Sequence, residues 1–345
     1  MKLASSSARC EISPVKTNPR RPEAIPFQRG KAPARFAGPR AGRVEWISPA
    51  LWSALAGEGT DAHRVASGSD WWLERFGPDL LISYQEERGR DAVLAELGER
   101  CGVYAYRPLR VFGKYLPRHA SERGGPALLR GDPAGALETE VSEAGLRYGL
   151  DFAAGYSAGF FIDQRANRAR LRQGHPKRLL NAFAYTCSFS VVAARAGAET
   201  VSVDLSRRSL MRGEENFRRN GLDPAGEHRF MADDVLAVLP RLARRGEKFD
   251  AIILDPPTFS RNQSGVAFQV RRDFDRLVEL AIEVAAPGAK ILLSVNHSEM
   301  RAADLERVGR GVLRRYKRSG RFSQTASLPD FPPGEGAKTV WMELA

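Results

Sequence analysis

The chain has 345 residues, 43% of them hydrophobic, and carries 53 Lys and Arg against 41 Asp and Glu, a formal charge of +12. That length suits one large folded unit plus a smaller one, and no apolar run approaches the ~20 residues of a bilayer-spanning helix, so no membrane association is expected. Three cysteines, Cys10, Cys101 and Cys187, make neither a disulfide framework nor a CxxC metal site; no bound metal and a reducing, cytoplasmic setting are expected.

Residues 1–43 hold ten Lys and Arg against Glu11 and Glu23, which is +8 of the +12, together with six prolines. Such a segment is expected to be a disordered basic tail. It suits a polyanion such as RNA, and an inert solvated leader at least as well; a transit peptide is a third reading, against which stands the lack of a clear amphipathic helix. A small α+β region is expected over 44–135. Within it 47–56 opens a helix after a Ser-Pro start, 79–83 (DLLIS) makes a strand, and 90–100 is an amphipathic helix. In 103–115 (VYAYRPLRVFGKY), Tyr104, Tyr106, Phe112 and Tyr115 interleave with Arg107, Arg110 and Lys114. That mixture fits an RNA-contacting surface, or an edge strand with core aromatics. The Gly- and Pro-rich stretch 121–135 reads as a linker or exposed loop, and 138–152 as a hairpin leading into a main domain over 136–345.

From 178 onward short apolar runs alternate with helical patterns. Strands are expected at 178–185, 200–206, 228–234, 249–257 and 289–298, and helices at 188–197, 206–220, 234–245, 270–286 and 301–317. This is the signature of βαβ units, a Rossmann-like α/β domain with a parallel sheet. The final stretch predicts two closing antiparallel strands around a Pro/Gly-rich loop.

Ligands of open parallel sheets sit beyond the carboxyl ends of the strands. The first strand runs into a helix through Phe183, Ala184, Tyr185 and Thr186, a turn able to offer backbone N–H groups, without the G-x-G-x-x-G of dinucleotide sites. A nicotinamide dehydrogenase is disfavoured on that ground. Asp204 ends the second strand 19 residues after Tyr185, where a ribose diol is held; the alternative is a helix cap, a job open to Ser206. Asp233 and Asp234 end the third strand, one expected to cap the next helix and Asp234 to meet an adenine amine. The fourth strand ends in Asp255-Pro256-Pro257. Two prolines fix an extended bend, and the carboxylate before them points into the cleft, a pattern seen in methyltransferases.

With these residues the sequence resembles the class I S-adenosylmethionine-dependent ribosomal RNA methyltransferases, and among them the 7-methylguanosine-forming half of a large-subunit enzyme. The matching stretches are YRPLRVFGKY, GLDFAAGYSAGFFIDQR, LLNAFAYTCSFSVVAARAGA, VSVDLSRRSL, ENFRRNGL, ADDVL, FDAIILDPPTFS and TVWMEL, within about 103–345. The resemblance implies a seven-stranded methyltransferase sheet that binds S-adenosyl-L-methionine. Asp163 and Arg165 would line its methionine end, and Phe183, Tyr185 and Thr186 the turn beneath it. Asp204 would hold the ribose, Asp234 the adenine, and Asp255, Pro256 and Pro257 would face the target base. One position departs from the family: Cys187 stands where Gly is usual, and its side chain is expected to crowd the cofactor.

Carbon methylation of cytosine needs a cysteine nucleophile, and no Cys follows position 187. A guanine nitrogen needs none, so N-directed methylation of ribosomal RNA is expected, with Asp255 and Asn296 orienting the base. His297 is a candidate proton acceptor or a structural hydrogen-bonder, and Arg261, Arg271 and Arg272 either grip phosphate or are solvated helix charges. Transfer to a protein or small molecule, or a non-catalytic RNA-binding module on a decayed fold, are the alternatives. The oligomeric state stays open.

Overall fold

The computed structural model describes residues 44–117, 122, 124–261, 267–297 and 299–345. The basic segment 1–43 lies outside the described residues. The described chain opens with β1 (Glu45–Trp46), α1 (Pro49–Gly57), β2 (Ala62–Ser67), β3 (Trp71–Phe76), β4 (Asp79–Tyr84), α2 (Glu87–Val103), β5 (Arg110–Tyr115) and β6 (Ala127–Arg130). The six strands form one sheet in chain order. α1 begins where Ser48 Oγ accepts from Leu51 N at 3.1 Å and Pro49 takes the first turn, a position where a missing N–H costs nothing.

One expectation for this region is corrected, and one open choice is narrowed. The 121–135 stretch is more than a linker, because β6 lies inside it and pairs antiparallel with β5. The aromatic-basic run 103–115 is divided: Tyr104, Arg110, Val111, Phe112 and Gly113 are buried, whereas Val103, Arg107, Leu109 and Tyr115 are exposed. Tyr104 stacks on Trp52 with ring centroids 4.5 Å apart, Phe112 stacks on Phe152 at 4.0 Å, and the Tyr106 hydroxyl donates to Gly77 O. Arg110 is buried and donates to both oxygens of Asp79 at 2.9 and 2.6 Å. Desolvating such a pair is costly unless every donor is used, and the remaining guanidinium N–H groups reach Ala136 O and Glu138 O. A group so committed has nothing left for phosphate.

A hairpin follows, β7 (Glu138–Glu143) and β8 (Leu146–Asp151), turned by Ala144 and Gly145 at φ 49° and 79°, the two-residue geometry that matches strand twist. After α3 (Arg165–Gln173) the alternation is regular: β9 (Arg178–Ala182), α4 (Ser188–Arg195), β10 (Glu199–Asp204), α5 (Arg207–Arg219), β11 (His228–Ala232), α6 (Val235–Arg244) and β12 (Phe249–Leu254). A short hairpin, β13 (Phe259–Arg261) and β14 (Ala267–Gln269), leads to α7 (Val270–Val284), β15 (Ala285–Val295), α8 (Ala302–Arg315), β16 (Gly320–Ser323) and β17 (Lys338–Leu344).

The second sheet has the order β11-β10-β9-β12-β15-β17-β16. The first five strands are parallel, and β17 inserts antiparallel between β15 and β16. Its central strands read as continuous apolar runs because both faces are covered. Leu180, Ile252, Leu254, Ile291 and Leu293 face α6, α7 and α8, whereas Leu179, Ile253, Leu292 and Trp341 face Leu171 of α3 and Phe189 of α4. A third apolar cluster joins Phe76 and Phe112 of the first sheet to Val141 and Tyr148 of the hairpin and to Val191 and Phe217 of α4 and α5. Strand order reverses between β9 and β12, so the crevice of a doubly wound sheet opens at their carboxyl ends. No described helix is long and apolar enough to cross a membrane.

Candidate active site

A cavity of about 560 Å³ lies at that reversal point, within the usual size of a cofactor pocket. Asp163, Phe183, Tyr185, Thr186, Asp204, Asp255, Pro256, Pro257 and Asn296 all line it. Arg165 and Asp234 do not.

The floor is the turn from β9 to α4. Phe183, Tyr185 and Cys187 have φ of 63°, 49° and 62°, a left-handed conformation that costs non-glycine residues energy and clusters at ligand clamps. Neighbours hold the turn in place: Thr186 Oγ1 donates to Gly159 O at 2.6 Å and the Tyr185 hydroxyl to Ser157 O at 2.9 Å. The first turn of α4 has no side-chain cap, and Ser188 and Phe189 line the cavity, so its N–H groups and positive helix end suit a ligand carboxylate.

Cys187 does not crowd the cavity. Its side chain is fully buried, with Sγ against Tyr185 O, and faces Gly213 of α5. A Cβ on Gly213 would sit 2.9 Å from Cys187 Cβ and closer still to Sγ. Gly213→Ala is therefore expected to destabilise the fold by about 1–3 kcal/mol. Cys187→Gly should restore most of that and leave cofactor affinity within about twofold, since glycine tolerates the left-handed turn. Thermal unfolding of the two single variants and the double variant checks both statements.

Asp204 ends β10. Its Oδ2 accepts from Tyr185 N at 2.9 Å and its Oδ1 from Ser206 N at 2.8 Å, while Ser206, not Asp204, caps α5 by accepting from Ser209 N. Each carboxylate oxygen thus keeps lone-pair capacity toward the cavity. Burial raises the Asp204 carboxyl above its ordinary range against the two N–H bonds that lower it. The caps at β11 fall otherwise than expected. Asp234 is the N-cap of α6, accepting from Leu236 N at 2.9 Å, and Asp233 pairs with Arg241. Asp234 lines a small adjoining recess that shares Phe183, Leu205 and Ser260 with the main cavity.

Asp255 stands where β12 meets the Pro256-Pro257 bend. Ser294 Oγ of β15 donates to its Oδ1 at 2.6 Å, and Gln164 Nε2 to its Oδ2 at 3.1 Å. Recession into the cavity raises its pKa to about 6; Asp163 adds to the rise, and Ser294, Gln164 and Arg168 oppose it. Asp163 is also raised by burial, and its Oδ2 accepts from Ala337 N at 3.0 Å. Arg168, whose charge lowers both Asp163 and Asp255, is spent on Glu143 through two bonds of 2.7 and 2.6 Å. Three carboxylates, Asp163, Asp204 and Asp255, consequently line the cavity with little compensating charge.

Arg165 is turned away. Its guanidinium pairs with buried Asp330 and reaches Ala62 O of β2, so it fastens the 324–337 loop to the first sheet rather than lining the cavity. His297 Nδ1 accepts from Glu299 N at 3.1 Å, the structural alternative. Arg271 pairs with Glu299, and Arg272 with Asp273 and Ala267 O; the Arg261 side chain lies outside the described atoms. Gln164, Ser294, Tyr156 and Phe161 line or support the cavity without having been singled out. Tyr156, Phe161 and Gln164 lie within the stretch GLDFAAGYSAGFFIDQR that carries the resemblance, and Ser294 lies two before Asn296.

A family model described as S-adenosylmethionine-dependent methyltransferase matches residues 106–342. Ribosomal RNA large subunit methyltransferase I of Salmonella arizonae is 33% identical over 264 residues, 72% of this chain and 62% of that protein. Ribosomal RNA large subunit methyltransferase K/L of Chromohalobacter salexigens is 39% identical over 197 residues, 56% of this chain and 26% of that one. The chain thus spans about three fifths of the first of these and a quarter of the second. The crystal structure of SMU.776 complexed with SAH superposes at a TM-score of 0.72 with 26% identity, covering 86% of this chain and 78% of that one.

Proposed function

The chain belongs to the S-adenosylmethionine-dependent methyltransferase family, and from that premise we propose that it methylates a guanine nitrogen in large-subunit ribosomal RNA in the cytoplasm. When bound, S-adenosyl-L-methionine supplies an electrophilic methyl group on a positively charged sulfur. The donor set suits that ligand. Asp204 has two oxygens available to a ribose diol. Phe183 offers a face for adenine beside Asp234, Thr186 and the start of α4 suit the amino-acid end, and Asp163 suits its ammonium. An acid-rich cavity favours a cationic ligand and favours it less once the charge is lost, which assists release of the spent form.

The observation that carries the acceptor assignment is Asp255. Ser294 and Gln164 both donate to it, so its remaining lone pairs ask for an N–H on the incoming group. An amino or imino edge of a base meets that demand, with exposed Asn296 beside it as a second polar contact. Cytosine carbon chemistry finds no thiolate here: Cys187 faces away from the cavity, and burial pushes its thiol up to about 12. Chemistry is then mainly a matter of orientation: Asp255 would accept a hydrogen bond from the N–H of the base and take its proton as that nitrogen gains the methyl group.

The test is transfer of labelled methyl groups to stripped large-subunit RNA, followed by nucleoside analysis. A methylated guanine is expected; label confined to protein, or 5-methylcytosine, would overturn the proposal. Turnover should also depend on pH in one direction. Ionised Asp255 is the working form, so the rate should fall as pH drops through about 6, and a single-turnover pH profile measures it.

A further inference from the structure

Behind Asp255 runs a chain of buried amides with only one consistent polarity. Trp341 Nε1 can donate but not accept, and it donates to Asn167 Oδ1 at 2.9 Å. Thr325 Oγ1 donates to the same oxygen at 2.6 Å. With its oxygen committed, Asn167 must present Nδ2 on the other side, where it donates to Gln164 Oε1 at 2.8 Å. Gln164 is left with its NH₂ facing the cavity. Nε2 serves Asp255 Oδ2 at 3.1 Å and Ser294 Oγ at 2.9 Å, and Ser294, having accepted, donates to Asp255 Oδ1 at 2.6 Å. Asn167, Gln164, Ser294 and Trp341 are all buried, so none can turn to water for a substitute partner, and a reversed amide would leave buried groups opposed.

We propose that Gln164 is the positioning residue of the acceptor carboxylate, and that the Trp341 indole, through Asn167, fixes which end of its amide Asp255 meets. The relay rests on Asp255 being the group that meets the acceptor, but its own test needs no acceptor. It also gives β17 and the 324–337 loop a part in the site, for Trp341 lies on the first and Thr325 on the second. The neighbouring charges do not replace it. Asp163 and Arg168 on the α3 side act on Asp255 with opposite sign, Arg168 is held by Glu143 of β7, and Lys338 of β17 lies by Asp163.

The experiment follows the Asp255 carboxyl by carbon NMR in the full chain labelled at aspartate, with its resonance identified by loss in Asp255→Asn. A hydrogen bond to a carboxylate favours the charged form, so Gln164→Met should raise the Asp255 midpoint by about one pH unit. Asn167→Asp keeps the oxygen that Trp341 needs and removes the donor that Gln164 needs, which forces the Gln164 oxygen toward Asp255. It should raise the midpoint by roughly as much, and by less than half that when Gln164 is already Met, because only through-space charge then remains. Should the added buried carboxylate prevent folding, Asn167→Leu cuts the relay without charge and must move the midpoint upward by a smaller step. An Asp255 midpoint unmoved in Gln164→Met overturns the positioning role. An Asn167→Asp shift of equal size in both backgrounds, or no shift in Asn167→Leu, overturns the relay. Failure to methylate RNA would bear on the proposed function alone.

Discussion

Asp204→Ala is expected to weaken binding of S-adenosyl-L-methionine by about a hundredfold, a loss of roughly 3 kcal/mol. Two effects add. A carboxylate that accepts from a ribose diol contributes a net of about 1.5–3 kcal/mol per charged hydrogen bond. The same carboxylate receives Tyr185 N and Ser206 N, and without it the strained β9–α4 turn loses the acceptor that holds Tyr185 in a left-handed conformation. Calorimetric titration with the cofactor or with SAH measures the loss. An affinity within threefold of the parent would show that the ribose sits elsewhere.

The second large effect is of the opposite kind. Asp255→Ala should leave cofactor affinity within about threefold and lower the methyl-transfer rate by 10²–10³, roughly the range for removing a positioned acid-base or oxyanion group. Asp255 lies at the end of β12 and Asp204 at the end of β10, with β9 between them, and the partners of Asp255 are Ser294 of β15 and Gln164. Single-turnover rates with saturating RNA, set beside the titration, separate the two aspartates. Equal loss of cofactor binding in both variants would remove the division between a nucleoside-holding edge and an acceptor edge.

The second sheet was legible because its central strands are buried on both faces and therefore read as apolar runs, and because those runs alternate regularly with helix-length segments from β9 to β15. The first sheet was less so. β2 and β3 carry Arg64 and Glu74 at buried positions, where they pair with each other at 3.5 Å, and Arg64 also meets Glu335 at 2.9 Å. A charged residue inside a strand reads as a solvated face until its partner is known, and one of these partners is 271 positions away. β6 was hidden by the Gly and Pro on either side of it. Of the candidate site, the strand-end residues could be found from position alone. Arg165 could not be told from its neighbour Asp163, since both sit where the chain enters α3 and only the fold shows that one faces the cavity and the other Asp330. Gln164 lies inside the matching stretch GLDFAAGYSAGFFIDQR, but its part was not legible there, because an amide's role is set by what lies at both of its ends.

Asp330 accepts from Arg64 N of β2 and from the Arg165 guanidinium, so one carboxylate clasps segments made 266 and 165 positions before it. During synthesis the earlier segments must wait for it. Until that late aspartate leaves the ribosome, Arg165 has no counter-charge, Asp163 has no Ala337 N–H and the cavity lacks a wall. A nascent polypeptide can pair its early strands, yet the contacts that Asp330 and Ala337 make with Arg64, Arg165 and Asp163 form only after both residues have been synthesised.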